Sequence, residues 1–315
     1  MARESLLAYP VFSPRELPDG KLGIQNSEKW QGKFFLHKET TNPLGQALII
    51  ASERQNGDIS VVHSYDVWAE GLDTTYIPAT EQMVHSLRSF RSQAELDELL
   101  DFTNIYIGHG GPDIESEILE QVTGKRIDVQ KENLAVYGTP NPSRGLAEYE
   151  ILRRLVNRPD IFTVTACRTT ELMEAILTEK EPTEVALMHR PEGNNNNPVH
   201  HPVTCTLPVT VMQEMPELQF LQDVTEMNSH HHQGFKISDV SQEQQEEFAK
   251  KGLYSAFIAP DGIIEMWVRI NEGMVTGIFY QGHVERDTTA SGKALTNWIL
   301  EQRDIFLKQK HKNLP

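Results

Sequence analysis

Apolar positions along the chain fall into two spacings. Short, nearly unbroken runs occur at 47–51 (ALIIA), 104–108 (NIYIG) and 161–166 (IFTVTA), each closed by polar residues or glycine. Runs of that length bounded by turn residues predict buried strands. Between them the spacing becomes helical. Ile151, Leu152, Leu155 and Val156 share one helical face within 146–156. Leu172, Met173, Ile176 and Leu177 form the inner stripe of a helix that starts directly after Cys167. In 64–78 (SYDVWAEGLDTTYIP), Tyr65, Val67, Trp68, Leu72 and Ile77 predict a helix to Gly71 and then a strand ending at Pro78. Residues 83–100 read as helix–loop–helix. Strands alternating with helices predict an α/β fold with a mainly parallel sheet.

The last third changes character. Residues 254–259 and 263–270 flank Pro260-Asp261-Gly262, a hairpin signal, and Asn271-Glu272-Gly273 turns the chain again into 274–281. This predicts an antiparallel meander whose final strand leads to His283. Residues 291–310 predict a closing amphipathic helix with Ala294, Leu295, Trp298 and Ile299 inward. Residues 1–45 are rich in proline and charge, have no sustained period, and read as an N-terminal extension to one domain over 46–315. Four asparagines at 194–197 predict a flexible loop.

Bulk properties narrow the function classes. A chain of 315 residues, 38% of them hydrophobic, can bury a sizeable core. No stretch approaches the ~20 apolar residues of a membrane span, and the N-terminus lacks a signal-peptide core. The 2 cysteines, Cys167 and Cys205, argue against a disulfide framework and for a reducing, cytoplasmic setting. A formal net charge of −16 disfavours nucleic acid and anionic membranes as partners, and would suit a cationic amine. Cys205, within VTCTLPV, reads as a buried strand residue.

Cys167 carries the candidate chemistry, because it stands at a strand-to-helix bend. N–H groups of the new helix turn favour a thiolate and can donate to an oxyanion. Downstream, His283 and Glu285 in Gln281-Gly282-His283-Val284-Glu285 could supply a base and its orienting carboxylate. Taken singly these signals are weak: a Cys after a strand is commonly a small buried hydrophobe, and the chain has 12 histidines. Their placement adds weight, since Gly110-Gly111, Cys167 and His283 each follow a predicted strand. Ligands of open α/β sheets bind at that edge. The run His230-His231-His232 invites a zinc reading. Adjacent histidines on an extended chain point to opposite faces, however, and no carboxylate or cysteine sits at ligand spacing nearby. No metal and no cofactor is expected.

Across 47–287 the chain resembles the class I glutamine amidotransferase-like superfamily, and more closely its γ-glutamyl hydrolase branch, which includes γ-glutamyl-γ-aminobutyrate hydrolases. The matching residues are Tyr65, Val67, Gly71 and Pro78; Gly110-Gly111-Pro112-Asp113; Cys167-Arg168; His201-Pro202-Val203; Asn228, Ser229, His231 and Gln233; Asp261, Gly262, Ile264 and Glu265; and Gln281, His283 and Glu285. The resemblance implies a flavodoxin-like three-layer sandwich, mainly parallel, with the antiparallel meander added near the C-terminus. It implies Cys167, His283 and Glu285 as a catalytic triad and N–H groups of Gly111 and Arg168 as oxyanion donors. Gly110, Asn228, Ser229, His231, Gln233 and Gln281 would line the substrate, with His231 near the leaving group.

Departures from the family pattern carry expectations of their own. Thr165 and Thr169 stand where the family has glycines around Cys-Arg. A β-branched residue held in a sparsely allowed conformation there would cost about 1–3 kcal/mol and reshape the elbow. Gly282 replaces an aromatic, which predicts open space beside the base. The function implied is hydrolysis of a γ-glutamyl amide through a glutamyl-thioester. The substrate would be a small molecule, and a homodimer is compatible with the sequence. A glutaminase or γ-glutamyl transferase, and a catalytically weakened binding protein of the same fold, are the alternatives.

Overall fold

The computed structural model describes residues 13–16, 22–25, 46–53, 59–61, 68, 73–79, 90–101, 103–111, 113–125, 142–190, 199–284, 287 and 289–312. In chain order the first strands are β1 (Ser13–Glu16), β2 (Leu22–Gln25), β3 (Gln46–Glu53), β4 (Ile59–Val61), β5 (Asp73–Ala79), β6 (Ile105–Gly108) and β7 (Phe162–Ala166). They are followed by β8 (Thr183–Glu184), β9 (Val199–Pro202), β10 (Thr204–Cys205), β11 (Glu226–Ser229), β12 (Gln233–Gly234), β13 (Leu253–Ile258), β14 (Ile264–Asn271) and β15 (Met274–Tyr280). The helices are α1 (Phe90–Asp101), α2 (Ser116–Thr123), α3 (Pro142–Leu155), α4 (Arg168–Thr178), α5 (Val209–Glu214), α6 (Gln242–Lys250) and α7 (Ala290–Lys312).

Five strands form a parallel centre. β3 pairs in parallel with β5 and β6, β6 with β7, and β7 with β15. Numbered by their order in the chain, these strands lie 2-1-3-4-5 across the sheet, the doubly wound order of flavodoxin-like folds. β15–β14–β13 then form the expected antiparallel meander, closed by the short edge strand β10. On the other side β4, β2 and β1 add an antiparallel arm, so Ser13–Glu16 and Leu22–Gln25 of the N-terminal extension contribute two strands to the same 11-stranded sheet.

Side chains alternate between the two faces of the sheet, as the pleat requires. Ala47, Ile105, Ile107, Phe162, Val164, Ala166, Ile278 and Tyr280 pack into one core with Leu295, Trp298, Ile299 and Phe306 of α7. Leu48, Tyr106 and Phe279 face a second core with residues of α1, α2, α3 and α4. Two cores separated by one sheet make a three-layer sandwich. β6 and β7 are buried throughout, which explains why they read as unbroken apolar runs rather than alternating ones.

Of the expected helix–loop–helix over 83–100, the described part is the single helix α1. Apart from the buried Trp68, the helix expected up to Gly71 lies outside the described residues, as does the loop at 194–197. Cys205 sits half-buried on the edge strand β10 rather than in the interior. Among the described residues no helix is long and apolar enough to cross a membrane.

Candidate active site

β7 ends at Ala166, and α4 begins at Arg168, so Cys167 alone makes the turn. Its backbone has φ 48° and ψ −121°, and its N–H donates to the carbonyl of Tyr280 at 2.9 Å. A non-glycine residue in that region is strained by about 1–3 kcal/mol and persists only where its surroundings enforce it. Here the enforcement comes from both sides, with a buried strand before the turn and a buried helix after it.

The flanking threonines are not strained, contrary to expectation. Thr165 lies in β7 and Thr169 in α4, and neither is among the described non-glycine residues with positive φ, which are Cys167, Glu179 and Glu272. Both are buried with their hydroxyls engaged. Thr165 Oγ1 meets Thr170 Oγ1 at 2.8 Å, Thr170 Oγ1 donates to the Tyr280 carbonyl at 2.9 Å, and Thr169 Oγ1 donates to the His109 carbonyl at 2.7 Å. Room for the Thr169 methyl comes from Gly108 on β6, where a Cβ would overlap it. The glycine missing beside the nucleophile is thus supplied on the neighbouring strand.

Gly110-Gly111 follows β6 directly and is held from behind. Arg144 Nη2 donates to the carbonyls of His109 at 2.6 Å and Gly110 at 3.0 Å. In a planar trans peptide the N–H points opposite to the C=O, so the N–H groups of Gly110 and Gly111 face away from Arg144. Gly111 is exposed and Gly110 buried. The Arg168 side chain is buried and pairs with Glu115 at 2.7 Å and with Glu148, which also binds Arg144 at 2.7 Å. Burial pulls the Arg168 guanidinium down to about 10, against the pull of Glu115, so it stays charged at neutral pH. Its side chain is therefore committed to the interior, which leaves its backbone N–H as its candidate contribution.

His283 lies three residues beyond β15, on the strand adjacent to β7, where Tyr280 is in register with Ala166. Asn228 clamps its backbone: Nδ2 donates to the His283 carbonyl at 2.5 Å, and the His283 N–H donates to Oδ1 at 3.0 Å. Tyr280 Oη donates to the same Oδ1 at 3.1 Å. Gly282 opens no space beside the base, which corrects the sequence expectation. A Cβ there would overlap the Asn228 carbonyl and stand 2.7 Å from Tyr280 Cε1. Asn228 occupies the place an aromatic would need. Glu285 lies outside the described residues, as does Pro112.

The remaining sequence candidates support this loop from within. Ser229 Oγ donates to the His189 carbonyl at 2.8 Å, and Gln281 Nε2 donates to Glu171 at 2.9 Å and to the Gln233 carbonyl at 3.1 Å. Asn228, Ser229, His231 and Gln281 are all buried. The three adjacent histidines separate as expected. The His230 ring lies 6.0 Å from that of His283, His231 Nε2 faces Glu265 at 3.3 Å, and His232 Nε2 faces Asp113 at 3.2 Å. The fold does bring a carboxylate to these histidines: Glu265 is buried among His189, His201 and His231. Burial would raise its carboxyl, but those imidazoles outweigh burial and hold it well below the usual range. Arg144, Glu148, Glu115, His189 and Asp261 were not singled out for these contacts from sequence. The one local signal was the i,i+4 spacing of Arg144 and Glu148 on a helix.

Neither a protein-family model nor a curated protein sequence matches the chain. Solved structures with similar folds include a protein described as one subunit of a GMP synthase from Thermoplasma acidophilum, at 12% identity and TM-score 0.43 over 87% of this chain and 98% of that one. Another is the glutaminase domain of Trypanosoma brucei CTPS, at 11% identity and TM-score 0.48 over 84% and 94%. A glutamine amidotransferase from Thermotoga maritima is similar at 11% identity and TM-score 0.38 over 85% and 94%. Likenesses this distant assign no role to any residue.

Proposed function

We propose that the protein is a cysteine-dependent hydrolase of γ-glutamyl amides. The observation that carries this reading is the strained backbone of Cys167 at the strand-to-helix turn, with Gly110-Gly111 following one neighbouring strand and His283 the other. The Cys167 thiolate attacks the side-chain carbonyl carbon of the substrate. N–H groups of Gly111 and Arg168 donate to the oxyanion, each worth about 3–4 kcal/mol in comparable sites. His283 takes the thiol proton and gives it to the departing amine. Glu285 keeps the imidazole in the required tautomer. Water then hydrolyses the glutamyl-thioester and releases glutamate. In this scheme Asn228 is a positioning residue that sets the backbone of His283, and Gln281 acts similarly through Glu171.

The test is intact-mass spectrometry after a short pulse with a panel of γ-glutamyl amides, with free glutamate measured alongside. A glutamyl adduct or glutamate release that vanishes in Cys167→Ala is expected. Folded wild-type protein giving neither product across the panel, or glutamate released equally by Cys167→Ala, would overturn the proposal.

A further inference from the structure

Away from Cys167, three buried polar atoms converge without a hydrogen-bond partner: Nδ1 of His189, Nε2 of His201 and Oε1 of Glu265. His189 Nδ1 lies 2.9 Å from Glu265 Oε1 but is not aligned as a hydrogen bond, and His201 Nε2 lies 3.5 Å from the same oxygen. Their other neighbours fix which nitrogen carries the proton when each ring is neutral. His189 Nε2 faces the Asp261 carboxylate at 2.9 Å, and His201 Nδ1 faces the Pro202 carbonyl at 3.1 Å. Both oxygens can only accept, so those nitrogens donate, and a ring that carries no second proton turns its lone pair toward Glu265. With both rings neutral, two lone pairs face a buried carboxylate, an arrangement that a cation among the three atoms relieves.

We propose that a divalent transition metal, zinc first among them, binds between His189 Nδ1, His201 Nε2 and Glu265 Oε1. Zinc bonds of about 2.0–2.1 Å put tetrahedral ligands about 3.3 Å apart, a value between the two separations seen here. All three atoms lie within 4.8 Å of one another. Imidazole with carboxylate suits zinc and its neighbours, whereas magnesium and calcium take oxygen ligands. The outer layer fits too. Asp261 on His189 repeats the carboxylate–histidine–metal arrangement, and His231 holds the second oxygen of Glu265 at 3.3 Å. The ligands come from a 3-10 turn (Leu187–His189), β9 and the start of β14. The His189 carbonyl also accepts from Ser229 Oγ and from the His231 N–H, one and three residues beyond Asn228. A metal here fastens the base of the segment that clamps His283. The proposal does not depend on the chemistry assigned to Cys167.

The experiment uses the tag-free full-length chain. Metal content is measured by mass spectrometry, and chelator-stripped protein is titrated with zinc chloride against a chromophoric chelator. A parallel titration with cobalt chloride follows the visible absorption of bound Co(II). The expected result is about one equivalent of zinc per chain at micromolar affinity or tighter, intense four- or five-coordinate Co(II) bands, and a higher melting temperature with metal. His201→Gln is expected to weaken binding by about 100-fold or more, and Asp261→Asn by about 10–100-fold. Folded wild-type protein that binds neither ion overturns the proposal, as does wild-type affinity in both His201→Gln and Glu265→Gln. Because the cobalt spectrum is read on the wild type, the proposal stays testable even where a variant fails to fold.

Discussion

Gly108→Ala tests whether the elbow tolerates threonine beside the nucleophile because a side chain is missing across the strand. A Cβ at 108 would overlap the Thr169 methyl, and would stand 3.0 Å from Thr169 Cβ and 3.2 Å from Thr165 Cγ2. Thr169 cannot rotate its methyl aside without withdrawing Oγ1 from the His109 carbonyl, a buried bond of 2.7 Å. Overpacking costs about 1–3 kcal/mol, and the lost hydrogen bond about 1 kcal/mol more. Removing a glycine from a strand returns only about 0.5–1 kcal/mol of backbone entropy. The net expectation is a loss of about 1–3 kcal/mol. Thr169→Ser removes the overlapping methyl but keeps the hydroxyl, and alone costs about 1 kcal/mol for the buried methyl and its cavity. If the overlap is the cause, the double variant Gly108→Ala/Thr169→Ser will be more stable than the sum of the singles by about 1–2 kcal/mol. Urea denaturation followed by tryptophan fluorescence measures all four proteins. Additivity to within about 0.5 kcal/mol would refute the reasoning.

Cys167→Gly and Cys167→Ala both lack the thiol, so their difference isolates backbone strain. At φ 48° the glycine variant is expected to be the more stable by about 1 kcal/mol or more, the reverse of an ordinary strand or helix position, as read by thermal or urea unfolding. Glu174 is buried, accepts from Trp267 Nε1 at 2.7 Å and leaves its other oxygen unpartnered. Burial raises its carboxyl well above 4.5, so the folded state keeps a proton that the unfolded chain has lost, and stability falls as pH rises past 4.5. Glu174→Gln removes that penalty, and its stability relative to wild type should improve between pH 4 and pH 7 by roughly 1–3 kcal/mol; a difference independent of pH contradicts this. Arg269 is a buried cation whose guanidinium donates to the carbonyls of Leu155, Arg158, Ile161 and Thr276. Arg269→Leu strands these acceptors and is expected to cost about 3–5 kcal/mol in urea unfolding, with loss of soluble yield.

The parallel centre was legible where its strands are buried on both faces: β6 and β7 are buried throughout, so 104–108 and the segment before Cys167 read as apolar runs. The arm of β1 and β2 was not, since SPRE carries no apolar side chain of strand type, LGIQ is too short for its two apolar residues to show a period, and both are held by main-chain pairing. In the site, strand ends pointed to Gly110-Gly111, Cys167 and His283. What lay behind them was hidden, because most supporting contacts, such as Arg144 to His109, Arg168 to Glu115 and Asn228 to His283, join residues far apart in the chain. Gly282 looked like a gap until the fold laid Asn228 across it. Thr165 and Thr169 looked strained because sequence alone could not place Gly108 opposite them. His189, His201 and Glu265 gave no ligand spacing along the chain, and only the packing of β9 and a 3-10 turn against β14 brings them together.

The buried charges beneath the elbow follow from a backbone problem. The loop after β6 turns the carbonyls of His109 and Gly110 inward, and buried acceptors require donors. Arg144 meets both through Nη2 while its Nε donates to Glu148 at 2.7 Å, a spread of donors over two nitrogens that a lysine ammonium does not offer. The charge it brings into the interior is paired with Glu148, one helical turn along α3. Glu148 also meets Arg168, which Glu115 completes, giving two positive and two negative groups behind the turn. Such a network is a weak source of stability, since replacing buried ion pairs with apolar side chains often costs nothing. Its consequence is directional. With both carbonyls held inward, planarity of the peptide keeps the Gly111 N–H turned outward, ahead of any substrate, and Arg168 enters α4 anchored at the residue that follows the strained cysteine.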